Sequence, residues 1–265
     1  MSGEAKQLGV TDHSRDSAGL TYVYPVVSRR AGGVSVGINL NPNNACNWRC
    51  IYCQVPGLKR GSAPPIDLGQ LERELRGFID TLLHGDFMRK HVPEAARRIV
   101  DIAFSGNGEP TSAREFPDAI ELAGRVVRDT GLEGKVKIRV ITNGSLLGRK
   151  RVQQGLRRLG ELGGEAWFKV DAGSAEGYRR INGVEISPES VARNLHRCAQ
   201  LCPTWVQTCL FALDGTSPGD EEVQAYLDVL ERAGSANLSG VHLYGLARPS
   251  LQPEAERLSR LPQDR

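Results

Sequence analysis

From residue 21 onward, short apolar runs alternate with longer segments of helical periodicity, and this alternation limits the accessible folds more than any other feature of the sequence. The strand-like runs are Val34–Leu40, Ile99–Ser105, Val136–Thr142, Ala166–Asp171, Trp205–Ala212 and Val241–Leu246. Between them, apolar residues recur every three or four positions, as one face of a helix requires. Leu68, Leu71, Leu75, Phe78 and Leu82 form one such stripe, and Phe116, Ile120, Ala123 and Val127 a second. Val152, Leu156 and Leu159 mark a third helix, and Val223, Leu227 and Leu230 a later one. Ser187-Pro188-Glu189 reads as an N-cap, a proline at the first helical position and an acidic first turn. Six β units joined by helices call for an α/β fold with a parallel sheet and right-handed crossovers. Such a sheet can be doubly wound or curled into a partial barrel, and periodicity alone is compatible with both. Either way, ligands belong at the carboxyl ends of the strands. Residues 21–27, TYVYPVV, suit an extended segment covering one edge. Residues 1–20 read as a loose polar tail before a single domain over 21–265.

The loop after the first of these strands reads NPNNACNWRCIYCQ and places Cys46, Cys50 and Cys53 at C-x3-C-x2-C spacing. Three thiolates on so short a loop can hold three irons of a cubane and leave the fourth open to an exogenous ligand. A closed zinc site would need a fourth ligand, and no His or further Cys lies nearby. Core cysteines are a poor alternative, because Asn43, Asn44, Asn47 and Arg49 surround them with polarity.

Later strands also end in polar motifs. FSGNGEPT sets Gly106, Asn107 and Gly108 where backbone can approach a ligand closely, with Glu109 as an acceptor beside it. ITNGS puts Thr142 and Asn143 at a strand end, as hydrogen-bonding groups for a ligand or as a plain Asn-Gly turn. In WFKVDAG, strand alternation sets Lys169 and Asp171 on one face. If that face is interior, the lysine needs a charge partner or an anionic ligand. After VHLYGLARPS, Arg248 could grip a carboxylate or phosphate as a fork.

The remaining features are blander. No apolar run approaches the roughly 18 residues that span a bilayer, and the first 20 residues lack the apolar core of a signal peptide. A cytoplasmic location without membrane contact is therefore expected, and cysteines there are ligands or core residues rather than disulfides. Val191, Leu195, Cys198 and Cys202 form one helical stripe, and Cys209 lies inside a strand, so these three cysteines read as core. The five histidines are scattered without metal-ligand spacing, and Arg149, Lys150, Arg151, Arg157 and Arg158 read as a solvated helix face, with an RNA-facing patch as the alternative. With 34 basic and 31 acidic residues, net charge is +3, too little to argue for nucleic acid by itself.

C-x3-C-x2-C with Tyr52 before the last cysteine resembles the signature of the radical S-adenosylmethionine (SAM) superfamily. That resemblance implies a (β/α)6 partial TIM barrel with one [4Fe-4S] cluster on Cys46, Cys50 and Cys53. It implies that SAM chelates the open iron and is cleaved reductively to a 5′-deoxyadenosyl radical. GNGEPT resembles the glycine-rich motif of the family that binds the methionine ammonium, with Asn107 inserted between the glycines. The resemblance also assigns cofactor contacts to Tyr52, Thr142, Asn143, Lys169, Asp171 and Arg248. Lys169 and Asp171 look like cofactor-touching positions of some activating enzymes, in reversed order. SVGINLNPNNACNWRCIYCQ, GNGEPT, ITNGSLL and WFKVDAG together resemble the branch of tRNA wyosine synthases, which build a tricyclic base on a tRNA guanosine using pyruvate. A reductant such as flavodoxin or ferredoxin follows as partner, with tRNA among the possible substrates. Two other classes stay open on the residues: an iron-sulfur electron-transfer protein without SAM chemistry, and a zinc-stabilised RNA-binding module.

Overall fold

The computed structural model describes residues 19–28 and 32–261. Seven strands form the central sheet in chain order: β1 (Val23–Ser28), β2 (Gly33–Ile38), β3 (Ile99–Phe104), β4 (Lys137–Thr142), β5 (Glu165–Lys169), β6 (Thr204–Leu210) and β7 (Gly240–Gly245). The six β units expected from the sequence are β2 to β7, and all of them run parallel. The segment 21–27 supplies β1, which pairs antiparallel with β2 at one edge. β1 and β7 are the two edges and do not meet, so the sheet is an open partial barrel. Of the tail expected over residues 1–20, all but Gly19 and Leu20 lie outside the described residues.

Helices cover the convex face: α1 (Leu68–His84), α2 (Phe116–Asp129), α3 (Lys150–Glu161), α4 (Ala175–Asn182), α5 (Pro188–Ala199) and α6 (Asp220–Arg232). Their starts follow local chemistry. Asp67 accepts from Gln70 N at 2.9 Å, Ser174 from Gly177 N at 2.9 Å and Ser187 from Ser190 N at 3.2 Å. Gly183, at φ 62°, ends α4 in the left-handed conformation that glycine tolerates best. The apolar stripes of α1, α2, α3 and α5 bury against Val34, Val36, Ile38, Ile102, Phe104, Val140, Phe168 and Val206, making one continuous core.

α6 departs from the expected stripe. Val223 and Leu227 are exposed, and the helix instead buries Val229 and Leu230. Its inward side includes polar groups. Glu222 accepts from Gly173 N at 2.6 Å and Ser174 Oγ at 2.6 Å, and Tyr226 OH meets Thr208 Oγ1 at 2.8 Å. A face that mixes a carboxylate and a phenol with aliphatics is invisible to a search for apolar periodicity.

The concave face is polar at its amino-terminal end. Arg139 lies between Asp101 and Glu165, with Nε 2.7 Å from Glu165 Oε1. Lys137 Nζ, at 2.9 Å, and Trp167 Nε1, at 3.0 Å, also reach Glu165. Trp167 touches His242 across β6, with ring centroids 5.0 Å apart. Contacts between strands two places apart are what a curled sheet permits. Together these residues floor the barrel and leave its other end for loops.

Candidate functional site

The cysteine loop rises from the carboxyl end of β2 and is fixed by its neighbours on every side. Asn39 Oδ1 accepts from Asn41 N and Asn107 N, both at 3.0 Å, and Asn41 Nδ2 donates to Ala45 O at 2.9 Å. Ala45–Cys46 pairs with Lys59–Arg60, closing the loop on itself. On the far side, α4 presents its last carbonyls: Ile51 N donates to Ile181 O at 2.9 Å and Arg49 N to Asn182 O at 3.0 Å. The segment after β7 adds a strap, in which Ser250 Oγ donates to Ile51 O at 2.6 Å, Leu251 N to Cys53 O at 2.9 Å and Gln252 Nε2 to Val55 O at 3.0 Å. Arg49 and Glu254 form a two-pronged ion pair across the same junction.

Within this frame Cys46, Cys50 and Cys53 are partly buried, and none of them forms a disulfide. Burial pushes the Cys46 thiol up to about 11, helped by the negative charge of Glu109. Burial and the charge of Asp171 push Cys50 higher still. A bound cation reverses this tendency, since it stabilises the thiolate directly. Among the described residues, no group of three or more His, Cys, Asp or Glu is arranged to hold one metal ion. Ligands of a cubane each take a different iron and need not converge on a point. The donor set, three thiols on one loop at the mouth of the barrel, therefore fits an iron-sulfur cluster.

The loop after β3 packs directly on the cysteine loop. Asn107 Nδ2 donates to Asn44 Oδ1 at 2.6 Å. A Cβ on Gly108 would collide with the carbonyl oxygen of Ala45, and one on Gly106, where φ is 147°, with Asn39 Oδ1. Both glycines thus serve a close approach between two loops of the chain itself, a constraint the motif alone did not disclose. Glu109 is almost fully buried, and burial raises its pKa even though donors surround it. Its carboxylate accepts from Thr111 N at 3.1 Å, Thr111 Oγ1 at 2.5 Å, Thr142 Oγ1 at 2.6 Å and Asn143 N at 2.7 Å. Thr142 and Asn143 are therefore tied to Glu109, and Asn143 Nδ2 reaches Asn47 Oδ1 in the cysteine loop at 2.9 Å.

Lys169 and Asp171 share the concave side, as alternation predicts. Lys169 Nζ lies 3.2 Å from Asp171 Oδ1 and donates to Tyr244 OH at 2.6 Å. It also sits over the Tyr52 ring, 5.0 Å from its centroid. Burial works against this ammonium, but the charges of Asp171 and Tyr244 outweigh it and hold the lysine above its ordinary range. Asp171 in addition accepts from Tyr52 OH, from Cys209 N at 3.2 Å and from Asn182 Nδ2 at 3.0 Å. Arg248 stands in the strap, where its carbonyl accepts from Gln54 Nε2 at 3.4 Å.

The sequence reading missed Asn39, Asn41, Asn182 and the strap. Asparagine is common in loops and at helix ends, so nothing in the sequence marks these as structural. Cys198 and Cys202 lie in the main core, whereas Cys209 packs with Ile51 and Phe211 on the concave side.

Comparison with known proteins gives the family and the fold. Residues 40–230 match the model of the Radical SAM superfamily. A UPF0026 protein of Helicobacter pylori (strain ATCC 700392 / 26695) is 30% identical over 159 residues, 60% of this chain and 44% of its own. One from Synechocystis sp. is 28% identical over 169 residues, 62% of this chain and 55% of its own. The chain spans about half the length of these curated relatives. Among solved structures, TYW1 with a lysine-pyruvate adduct bound superposes with a TM-score of 0.55 at 18% identity, covering 86% of this chain and 68% of that one. The structure of anSMEcpe with bound AdoMet gives 0.52 at 17% identity, covering 81% and 52%. These likenesses concern the fold, an α/β partial TIM barrel. The family match spans most of the chain, including the cysteine loop and the loops after β3, β4 and β5, and the chain belongs to the radical SAM superfamily of enzymes.

Proposed function

We propose that Cys46, Cys50 and Cys53 hold one [4Fe-4S] cluster and that the loops around them bind SAM for reductive cleavage. The observation that carries this reading is the convergence of three later βα loops on the cysteine loop. Asn107 reaches Asn44, Asn143 reaches Asn47, and Asp171 reaches Tyr52. When bound, such a cluster supplies the electron that breaks the sulfonium C–S bond of SAM and releases a 5′-deoxyadenosyl radical. The chain's own residues do the rest. The backbone of Gly106, Asn107, Gly108 and Glu109 lies beside the loop and offers carbonyls to an ammonium group. Thr142 and Asn143, held by Glu109, offer polar groups at the next strand end. The Lys169 ammonium has two of its three protons engaged, by Asp171 and Tyr244, and can present the third to an anionic group of a ligand. Arg248 would close the site from the strap side.

An electron donor such as flavodoxin or ferredoxin would serve as partner. The resemblance to wyosine synthases makes a tRNA base the first substrate to try. The test is anaerobic reconstitution followed by assay of iron, sulfide and zinc, then reduction with SAM present. About four irons per chain and formation of 5′-deoxyadenosine are expected. Iron without cleavage would leave an electron-transfer protein, and zinc without iron would remove the cluster reading.

A further inference from the structure

Asn182, the last residue of α4, is fully buried and aims its side-chain amide at a cysteine of the loop. Its Nδ2 lies 3.2 Å from Cys50 Sγ and 3.0 Å from Asp171 Oδ2. The orientation is fixed by Asp171. A carboxylate held by Tyr52 OH, Cys209 N and Lys169 can accept but not donate, so the amide must turn its NH2 group that way. The second proton of the same NH2 group then points at sulfur.

The opposite end of the side chain is informative too. Asn182 Oδ1 is buried with no hydrogen-bond partner. An unmet buried acceptor carries a penalty that a well-packed aliphatic residue would avoid. The amide is therefore placed for what its nitrogen does. The main chain enforces the aim, since the carbonyls of Asn182 and Ile181 accept from Arg49 N and Ile51 N, the two residues that flank Cys50. α4 thus grips the chain on both sides of the ligand and presents a donor to its sulfur.

We propose that Asn182 is a positioning residue that tunes the cluster, by donating an N–H···S hydrogen bond to the Cys50 thiolate. This rests on the reading that Cys50 is a cluster ligand. The donor draws electron density from the sulfur and stabilises the more negative, reduced state of the cluster, so it raises the reduction potential. Asn47, another asparagine near a ligand sulfur, does not play this part. Its oxygen faces Cys46 Sγ, at 3.9 Å, while its nitrogen donates to Ser145 Oγ at 2.7 Å.

The experiment is a redox titration of the reconstituted chain, wild type and Asn182→Ala, followed by EPR and accompanied by iron assay. With iron content unchanged, the ratio of reduced to oxidised cluster at a fixed potential should fall about tenfold in the variant, which is a potential about 59 mV lower for a one-electron couple. A second measurement needs no variant. In wild type labelled with ¹⁵N in asparagine side chains, the reduced cluster should show a ¹⁵N hyperfine coupling. An unchanged potential in a fully loaded Asn182→Ala, or no asparagine coupling in the loaded wild type, overturns the proposal alone. A wild-type chain that takes up no iron removes the cluster reading, and the proposal with it.

Discussion

Glu109 shows how a residue chosen for one role can be committed to another. Its position in a glycine-rich loop suggests an acceptor facing a ligand, yet its carboxylate already meets four donors from Thr111, Thr142 and Asn143. Those donors join the ends of β3 and β4, so Glu109 sets the spacing of two loops at the site. Replacing it by alanine strands the Thr142 hydroxyl and the Asn143 amide in a buried place, each worth about 1–3 kcal/mol. Glu109→Ala should therefore lose roughly 3 kcal/mol and lower Tm by about 5–10 °C before any ligand is added. Thermal unfolding of the unloaded protein measures this, and a Tm equal to wild type would show that the carboxylate is not a clamp. The residue types of the site were legible because cysteines at that spacing and glycines after a strand have few other uses. Partner choice was not: which of many asparagines face inward depends on loop paths that no local pattern encodes. Asn182 is the clearest case, since an Asn-Gly pair at a helix end reads simply as a stop.

Elements were read more faithfully than loops. β2 to β6 are buried on the helix side, and β7 turns Val241 and Leu243 outward as an exposed apolar edge, so each appears in sequence as an apolar run with turn residues at its ends, and the boundaries fall within two residues of those expected. The strap over Ser250–Glu254 has no such pattern, because its bonds to the cysteine loop use serine, glutamine and main-chain groups. Its ion pair with Arg49 gives a pH test. Arg49 beside Glu254 holds the carboxyl below the usual carboxylate range. A depressed folded-state pKa stabilises at pH above the unfolded value, about 4.3 for glutamate, and the gain disappears as pH falls through the folded value. Arg49 is 40% exposed, which limits the pair to about 1 kcal/mol or less. Glu254→Gln should thus melt about 2 °C below wild type at pH 7, with the gap closing once the pH drops below about 4. A gap that persists undiminished in acid would mean that the ion pair is not its source.

At the scale of the whole molecule, the sheet divides two kinds of interior. Helices and apolar strand faces make the core on the convex side, while the concave side is floored by Arg139 with Asp101 and Glu165 and opens toward the cysteine loop. The two additional groups of cysteines fall on different sides of this division. Cys198 and Cys202 belong to α5 and the turn after it, inside the main core, where Thr204 Oγ1 donates to Cys198 Sγ at 3.4 Å. Cys209 faces inward with Ile51 and Phe211. A sheet between them prevents the three sulfurs from sharing a cluster without unfolding β6. Their simultaneous replacement, Cys198→Ala with Cys202→Ala and Cys209→Ala, should leave iron at about four per chain after reconstitution. Each substitution removes one buried sulfur and leaves a small cavity, so stability should fall by roughly 2–4 kcal/mol in all. Iron assay and denaturant unfolding, made on the same preparation, separate the two effects. A wild type carrying about eight irons, halved in the triple variant, would place a second cluster on these cysteines and demand a rearrangement of the core around α5.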